Sequence, residues 1–224
     1  MDSKEAPLDA TSSASAQQTA QVFENHEYLL YLPEGYEHGK RWPLILYLHG
    51  KSLRGNDLEK LKSYGLAAQL EKELSIPFIV VSPQCPDDRL WTDEEQNLLR
   101  LIDHVSSVYS VDTDRIYASG HSMGGRGTWI LAARHPDKFA AIVPLADAPP
   151  VADLAKLVAR VPAWAFHGAK DDLVPVENMR RFVASVKAEG GSIWYTELPE
   201  GDHFILDAYS NKDIYDWLLR QKRK

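Results

Sequence analysis

A single cysteine, Cys85, stands in the 224 residues. No intramolecular disulfide can therefore close, and with no neighbouring Cys or His at ligand spacing no zinc site is expected around it. Its expected role is that of a small buried hydrophobe. Positive charge is the minority: 25 Lys and Arg against 32 Asp and Glu leave a formal charge of −7, which opposes a phosphate backbone and argues against nucleic acid as a partner. Long apolar runs are missing as well. The strongest, Leu44 to Leu48 and Phe78 to Val81, fall far short of the roughly 18 residues that cross a bilayer, so no membrane span is expected. The first residues, MDSKEAPLDATSSASAQQTAQ, contain no apolar h-region. The chain as written is therefore expected to be cytoplasmic, the alternative being a secreted or periplasmic protein whose signal has been removed. Low in apolar side chains, residues 1–21 are expected to form a flexible polar tail. HExxH, GxxxxGK[ST] and the dinucleotide glycine fingerprint are all absent, and neither a metal nor an organic cofactor is expected.

What is present points to a packed core. Hydrophobic residues make up 44 % of the chain, and residues 22–224 contain no Pro/Gly/Ser-rich linker, so one domain is expected there. Short β-rich runs alternate with helical periodicity, the pattern of a mostly parallel sheet with helices on both faces. The expected strands are Glu27 to Leu32, Leu44 to Leu48, Phe78 to Ser82, Arg115 to Ser119, Ala140 to Leu145, Ala163 to His167 and Ser192 to Leu198. Several lack clean alternation, as strands covered on both faces do. A helix is expected over Thr92 to Tyr109, with Leu98, Ile102, Val105 and Val108 at helical spacing and Thr92 and Glu95 placed as a capping box. Further helices are expected over Asp57 to Leu74, Met123 to His135, Val151 to Arg160, Val176 to Glu189 and Asn211 to Arg220.

The strongest chemical signal is Gly120-His121-Ser122-Met123-Gly124, a G-x-S-x-G run between an expected strand and an expected helix. Turning that sharply strains the backbone of the serine, and small neighbours keep side chains from colliding; Gly120, Gly124 and Gly125 meet that need. The turn would lift the Ser122 hydroxyl above the sheet and aim helix N-terminal N–H groups at a developing oxyanion. Serine near neutral pH needs a histidine base oriented by a carboxylate, and with this elbow the partners follow in the order acid, then histidine. Of His135, His167 and His203, which come after Ser122, His203 leaves room for an acid at a preceding strand end. Asp171, in the loop after the strand Ala163 to His167, is the favoured acid; Asp172 beside it and Asp147 at an earlier strand end are the alternatives.

The chain resembles the α/β-hydrolase superfamily in the blocks LYLPEGYE, WPLILYLHG, RGND, PFIVVSPQCP, DRIYASGHSMGGRGTW, FHGAKDDLVP and GDHFILDAYSNKDIYDWLL, which span residues 27–221. They are similar to a small lidless branch of carboxylesterases and predicted peptidases near the feruloyl and acetylxylan esterases and the polyhydroxybutyrate depolymerases. The resemblance implies an α/β-hydrolase fold without a large cap domain, with Ser122, Asp171 and His203 as catalytic residues. It also implies an oxyanion hole from the N–H groups of Met123 and of Lys51, with Ser52 as the alternative to Lys51. His49 is expected to buttress the loop, and Trp91 corresponds to an aromatic that borders the substrate site. Many relatives place a small residue and a Gly-Glu pair after the His-Gly where this chain has Lys51-Ser52-Leu53.

The expected activity is hydrolysis of short-acyl or aryl esters, such as acetyl or feruloyl esters, free or attached to a polymer, through an acyl-enzyme. One short expected helix, Val151 to Arg160, separates two strands where lids of this superfamily usually enter, so the cleft is expected to be open. A serine peptidase of the prolyl-oligopeptidase-like type and a non-catalytic binding module are the competing readings. Oligomeric state is not legible from these residues.

Overall fold

The computed structural model describes residues 17–72, 74–150 and 154–223. Among them, eight strands form one sheet: β1 (Gln17–Phe23), β2 (His26–Leu32), β3 (Trp42–Leu48), β4 (Ile79–Pro83), β5 (Val111–His121), β6 (Ala141–Leu145), β7 (Ala163–Gly168) and β8 (Ile193–Leu198), in spatial order β1-β2-β4-β3-β5-β6-β7-β8. The pairings β1·β2 and β2·β4 are antiparallel, and every pairing from β4·β3 to β7·β8 is parallel. Every residue of β3 and of β6 is buried, which explains their unbroken apolar sequences.

Among the described residues six α-helices cover the sheet: α1 (Leu66–Lys72), α2 (Glu95–Val108), α3 (Met123–Arg134), α4 (Leu154–Val158), α5 (Val176–Ala188) and α6 (Lys212–Arg220). Alternate residues of β3 face opposite layers. Leu44, Leu46 and Leu48 join a core with Ile102 of α2, Trp129 of α3 and Phe182 of α5, whereas Ile45 and Tyr47 join one with Leu66 of α1 and Trp217 of α6. Both faces are therefore covered at the centre of the sheet, and its strand ends are left as the place for chemistry. Between β6 and β7 the described chain holds the short α4, and no large cap domain covers the strand ends.

Several expectations are corrected. Residues 17–21, read from sequence as tail, lie in β1, because their backbone finds a full antiparallel partner in β2; residues 1–16 lie outside the described residues. The helix expected over Asp57 to Leu74 is split into a 3₁₀ turn, Leu58–Lys62, and α1, with Gly65 at φ 83° between them. A Cβ at Gly65 would collide with the Tyr47 hydroxyl, so the break comes from a close tertiary approach as well as from the left-handed backbone. The Thr92/Glu95 capping box does not form. The N-cap of α2 is Glu94, without a side-chain cap bond, and Glu95 is held instead by Arg134 and His135 of the α3 end. Leu98, Ile102 and Val105 of α2 are buried as expected, but Val108 is exposed. Of the helix expected over Val151 to Arg160, residues 151–153 lie outside the described residues and Leu154–Val158 is helical.

Candidate active site

The ends of β3, β5, β6, β7 and β8 lead into the loops that carry Lys51, Ser122, Asp147, Asp171 and His203, at the carboxyl edge where parallel sheets present ligand sites. Ser122 sits between the last residue of β5 and the first of α3, with φ 55° and ψ −119°. A non-glycine residue there is strained and persists when its surroundings hold it. They do: Ser122 N–H donates to the Leu145 carbonyl at 2.9 Å, and the Ser122 carbonyl accepts from Arg126 N–H at 3.0 Å. The motif glycines let strand and helix close on each other. A Cβ at Gly124 would run into the Leu48 carbonyl, and one at Gly120 into the Gly124 backbone.

Ser122, His203 and Asp171 meet. Ser122 Oγ lies 2.8 Å from His203 Nε2, and His203 Nδ1 lies 2.8 Å from Asp171 Oδ2. A carboxylate only accepts, so Nδ1 carries a proton towards Asp171, and Nε2 faces the serine hydroxyl. The Asp171 side chain is wholly buried and its acceptor capacity is used: Oδ1 takes the N–H groups of Leu173 and Val174 at 2.9 and 2.7 Å, and Oδ2 also lies 3.1 Å from His167 Nε2. The alternative acids are placed elsewhere. Asp172 is exposed, and Asp147 pairs with Arg126.

Two histidines not read from the sequence as site residues support this arrangement. His167, at the end of β7, reaches the carboxylate of Asp171 and the Val174 carbonyl. His121, the variable residue of the motif, donates from Nε2 to the backbone carbonyl of His203 at 2.7 Å. Burial lowers the His121 pKa from 6.5 to about 4, so the ring is neutral near neutral pH, and its Nδ1 is buried without a partner among the described residues. The signal for both was positional: each closes a strand that feeds the site.

Beside Ser122 lies a cleft of about 300 Å³, lined by Lys51, Leu90, Trp91, Thr92, Ser122, Met123, Arg126, Gly127, Ile130 and Asp147. Met123 is the first residue of α3, so its N–H has no acceptor inside the helix. Lys51 opens the 3₁₀ turn Lys51–Leu53 after Gly50 and lines the same cleft. Ser52, the alternative to it, hydrogen-bonds the Tyr64 hydroxyl. His49 is internal to the loop: Nδ1 donates to the Gly50 carbonyl at 2.7 Å and Nε2 accepts from Cys85 N–H at 3.0 Å. Burial lowers its pKa to about 4, which keeps that tautomer neutral. The Trp91 indole N–H donates to the His49 carbonyl at 2.9 Å, and its side chain packs where a Cβ on Gly127 would otherwise stand, forming one cleft wall. Cys85 is buried, and desolvation pushes its thiol up to about 12.

A mostly parallel sheet, a strained serine between strand and helix, and acid and histidine after β7 and β8 define an α/β-hydrolase fold. The chain belongs to the Esterase family, whose model matches residues 21–194. It is 29 % identical over 150 residues to the bifunctional acetylxylan esterase/xylanase XynS20E of Neocallimastix patriciarum, covering 65 % of this chain and 22 % of that protein. The first two curated relatives are spanned over 22 % and 47 % of their lengths. Among solved structures, a thermostable esterase superposes with TM-score 0.78 at 28 % identity, over 92 % of this chain and 63 % of that one. A feruloyl esterase module from Clostridium thermocellum, solved with sinapinate, superposes with TM-score 0.71 at 21 % identity, over 91 % of this chain and 86 % of that one, and shares the fold.

Proposed function

We propose that the chain is a serine carboxylesterase acting on short-acyl or aryl esters through an acyl-enzyme. The observation that carries this reading is the continuous path from Ser122 Oγ to His203 Nε2 and from His203 Nδ1 to Asp171, 2.8 Å at each step. His203 takes the Ser122 proton as the oxygen attacks the ester carbonyl, and Asp171 steadies the imidazolium that forms. The N–H groups of Met123 and Lys51 stabilise the oxyanion. His203 returns the proton to the departing alkoxide, then activates water to release the acid and regenerate the serine.

The shape of the site and the names of the relatives support this substrate class. The cleft opens at the surface beside Ser122 and is walled by Trp91, Leu90 and Ile130, which suits a short or planar acyl group better than a long lipid chain. The relative from Neocallimastix is named as an acetylxylan esterase, and the Clostridium module as a feruloyl esterase. The test is turnover of acetyl, butyryl, octanoyl and feruloyl esters alongside a peptide amide of matched acyl group. Acetyl, butyryl or feruloyl esters should be favoured over octanoyl and over the amide, and Ser122→Ala should lower kcat by roughly 10⁴-fold or more. A Ser122→Ala protein as active as the parent, or faster turnover of the amide, would sink the reading.

A further inference from the structure

The cleft beside Ser122 holds a charged pair that the hydrolytic steps do not use. Arg126 lies one helical turn after Ser122 on α3, and Asp147 follows β6 directly after Ala146, whose φ of 57° is again unusual for a side-chain-bearing residue. The Asp147 side chain is 6 % exposed and that of Arg126 47 %. Arg126 Nε lies 3.0 Å from Asp147 Oδ2, and Nη2 donates to Oδ1 at 3.0 Å. This is a side-on pairing. It fixes the guanidinium plane and leaves the Nη1 amino group without a protein acceptor among the described residues. A guanidinium held side-on by one carboxylate still offers its end-on pair of donors, from Nη1 and Nη2, to a second.

Lys51 lines the same cleft, is exposed, and enters no ion pair among the described residues. The lining thus carries two cations and one buried carboxylate in a molecule whose formal charge is −7. Such a local reversal of sign is what an anionic ligand would select, and a planar fork fixed in position suits a carboxylate in particular.

We propose that this cleft is a subsite for a carboxylate carried by the substrate ester, received end-on by Arg126 with Lys51 beside it. The favoured substrates are then half-esters or carboxyl-bearing aryl esters rather than wholly neutral ones. The inference rests on the esterase reading of the same site and narrows its substrate class. Asp147 acts through Arg126 as a positioning residue. Burial raises its pKa, the Arg126 guanidinium offsets part of that rise, and the pair keeps the fork aimed.

The test uses the full chain and four esters in two matched arms, with rates corrected for spontaneous hydrolysis. The acyl arm compares 4-nitrophenyl hemiadipate with 4-nitrophenyl hexanoate. The alcohol arm compares 4-acetoxyphenylacetate with 4-tolyl acetate. The quantity read is the ratio of kcat/KM for the charged ester to that for its neutral partner, so a general loss of activity cancels. Arg126→Gln alone would strand a buried carboxylate, so it is combined with Asp147→Asn, and folding is checked by thermal melting. In the double variant the ratio should fall about tenfold in the arm whose carboxylate reaches the fork. Exposed Lys51→Met should lower it about threefold in the same arm. The arm that responds shows whether the carboxylate belongs to the acid or the alcohol. Ratios unchanged within twofold in both arms and both variants, with the neutral esters turned over by the parent, would overturn the subsite and leave the esterase reading intact. No turnover of any of the four by the parent would remove both.

Discussion

At the residue scale, the site is a sequence of short hydrogen bonds in which each group has one role. His203 is fixed from two directions, by Asp171 at Nδ1 and by His121 at its own backbone carbonyl. The second contact sets where the loop stands, which gives His121 a positioning role through the backbone of His203. His121→Leu should lower kcat by roughly 10- to 100-fold with little change in KM, because a base displaced by a fraction of an ångström still lets substrate bind. His121→Gln, whose amide can donate to the same carbonyl, should recover most of that loss. Steady-state kinetics of the two variants checks this, and a Leu variant with parental kcat would contradict it. That Ser122, Asp171 and His203 could meet was legible in the sequence, because Ser122 sits in a pattern with a mechanical reason and Asp171 and His203 follow it in the required order, with Asp172 and Asp147 as the alternative acids. The roles of His121, His167 and Arg126 were not, because each depends on which way a side chain turns once the strands are side by side.

At the element scale, strands were read more reliably than helix ends and breaks. β3, β4 and β6 are short apolar runs whose burial on both faces follows from their composition. The start of β1 was missed because its first five residues, QQTAQ, carry almost no apolar signal. Its strand is made by backbone pairing with β2, which composition does not report. The split at Gly65 was missed for a related reason. Helical spacing continues through that position, and the break comes from the Tyr47 hydroxyl, distant in sequence, occupying the space of a side chain. The absent capping box shows a long-range ion pair taking precedence over a local one, since Glu95 serves Arg134 and His135. By contrast the elbow was legible as an element, because its glycines are demanded by backbone contacts within the strand-turn-helix unit and its immediate neighbours.

At the scale of the whole molecule, stability should depend on acidity through its buried histidines. In the folded chain His49 and His121 have pKa values lowered by burial from 6.5 to about 4. Between these limits the unfolded chain binds more protons than the folded one, so stability rises with pH through this window and is lost as pH falls from about 6.5 through about 4. Each ring would account for up to roughly 3 kcal/mol of that loss. Glu197, held down to about 2 by Arg180, keeps most of its contribution over the interval from pH 7 to 4.5, whereas Asp147, raised by burial, works against the two histidines as it takes up its proton. Urea midpoints should fall over that interval and fall less in His121→Gln; midpoints independent of pH would refute the assignment.

Helices covering the centre of both sheet faces leave the strand ends to bring together three residues distant in the chain, and Ser122 is the proposed nucleophile. The most direct measurement is intact mass after incubation with an aryl organophosphonate, followed by peptide mapping. One phosphonyl group per chain, on the peptide holding Ser122 and absent from Ser122→Ala and His203→Ala, is the expected result. A chain that stays unmodified, or one labelled equally in Ser122→Ala, would contradict it.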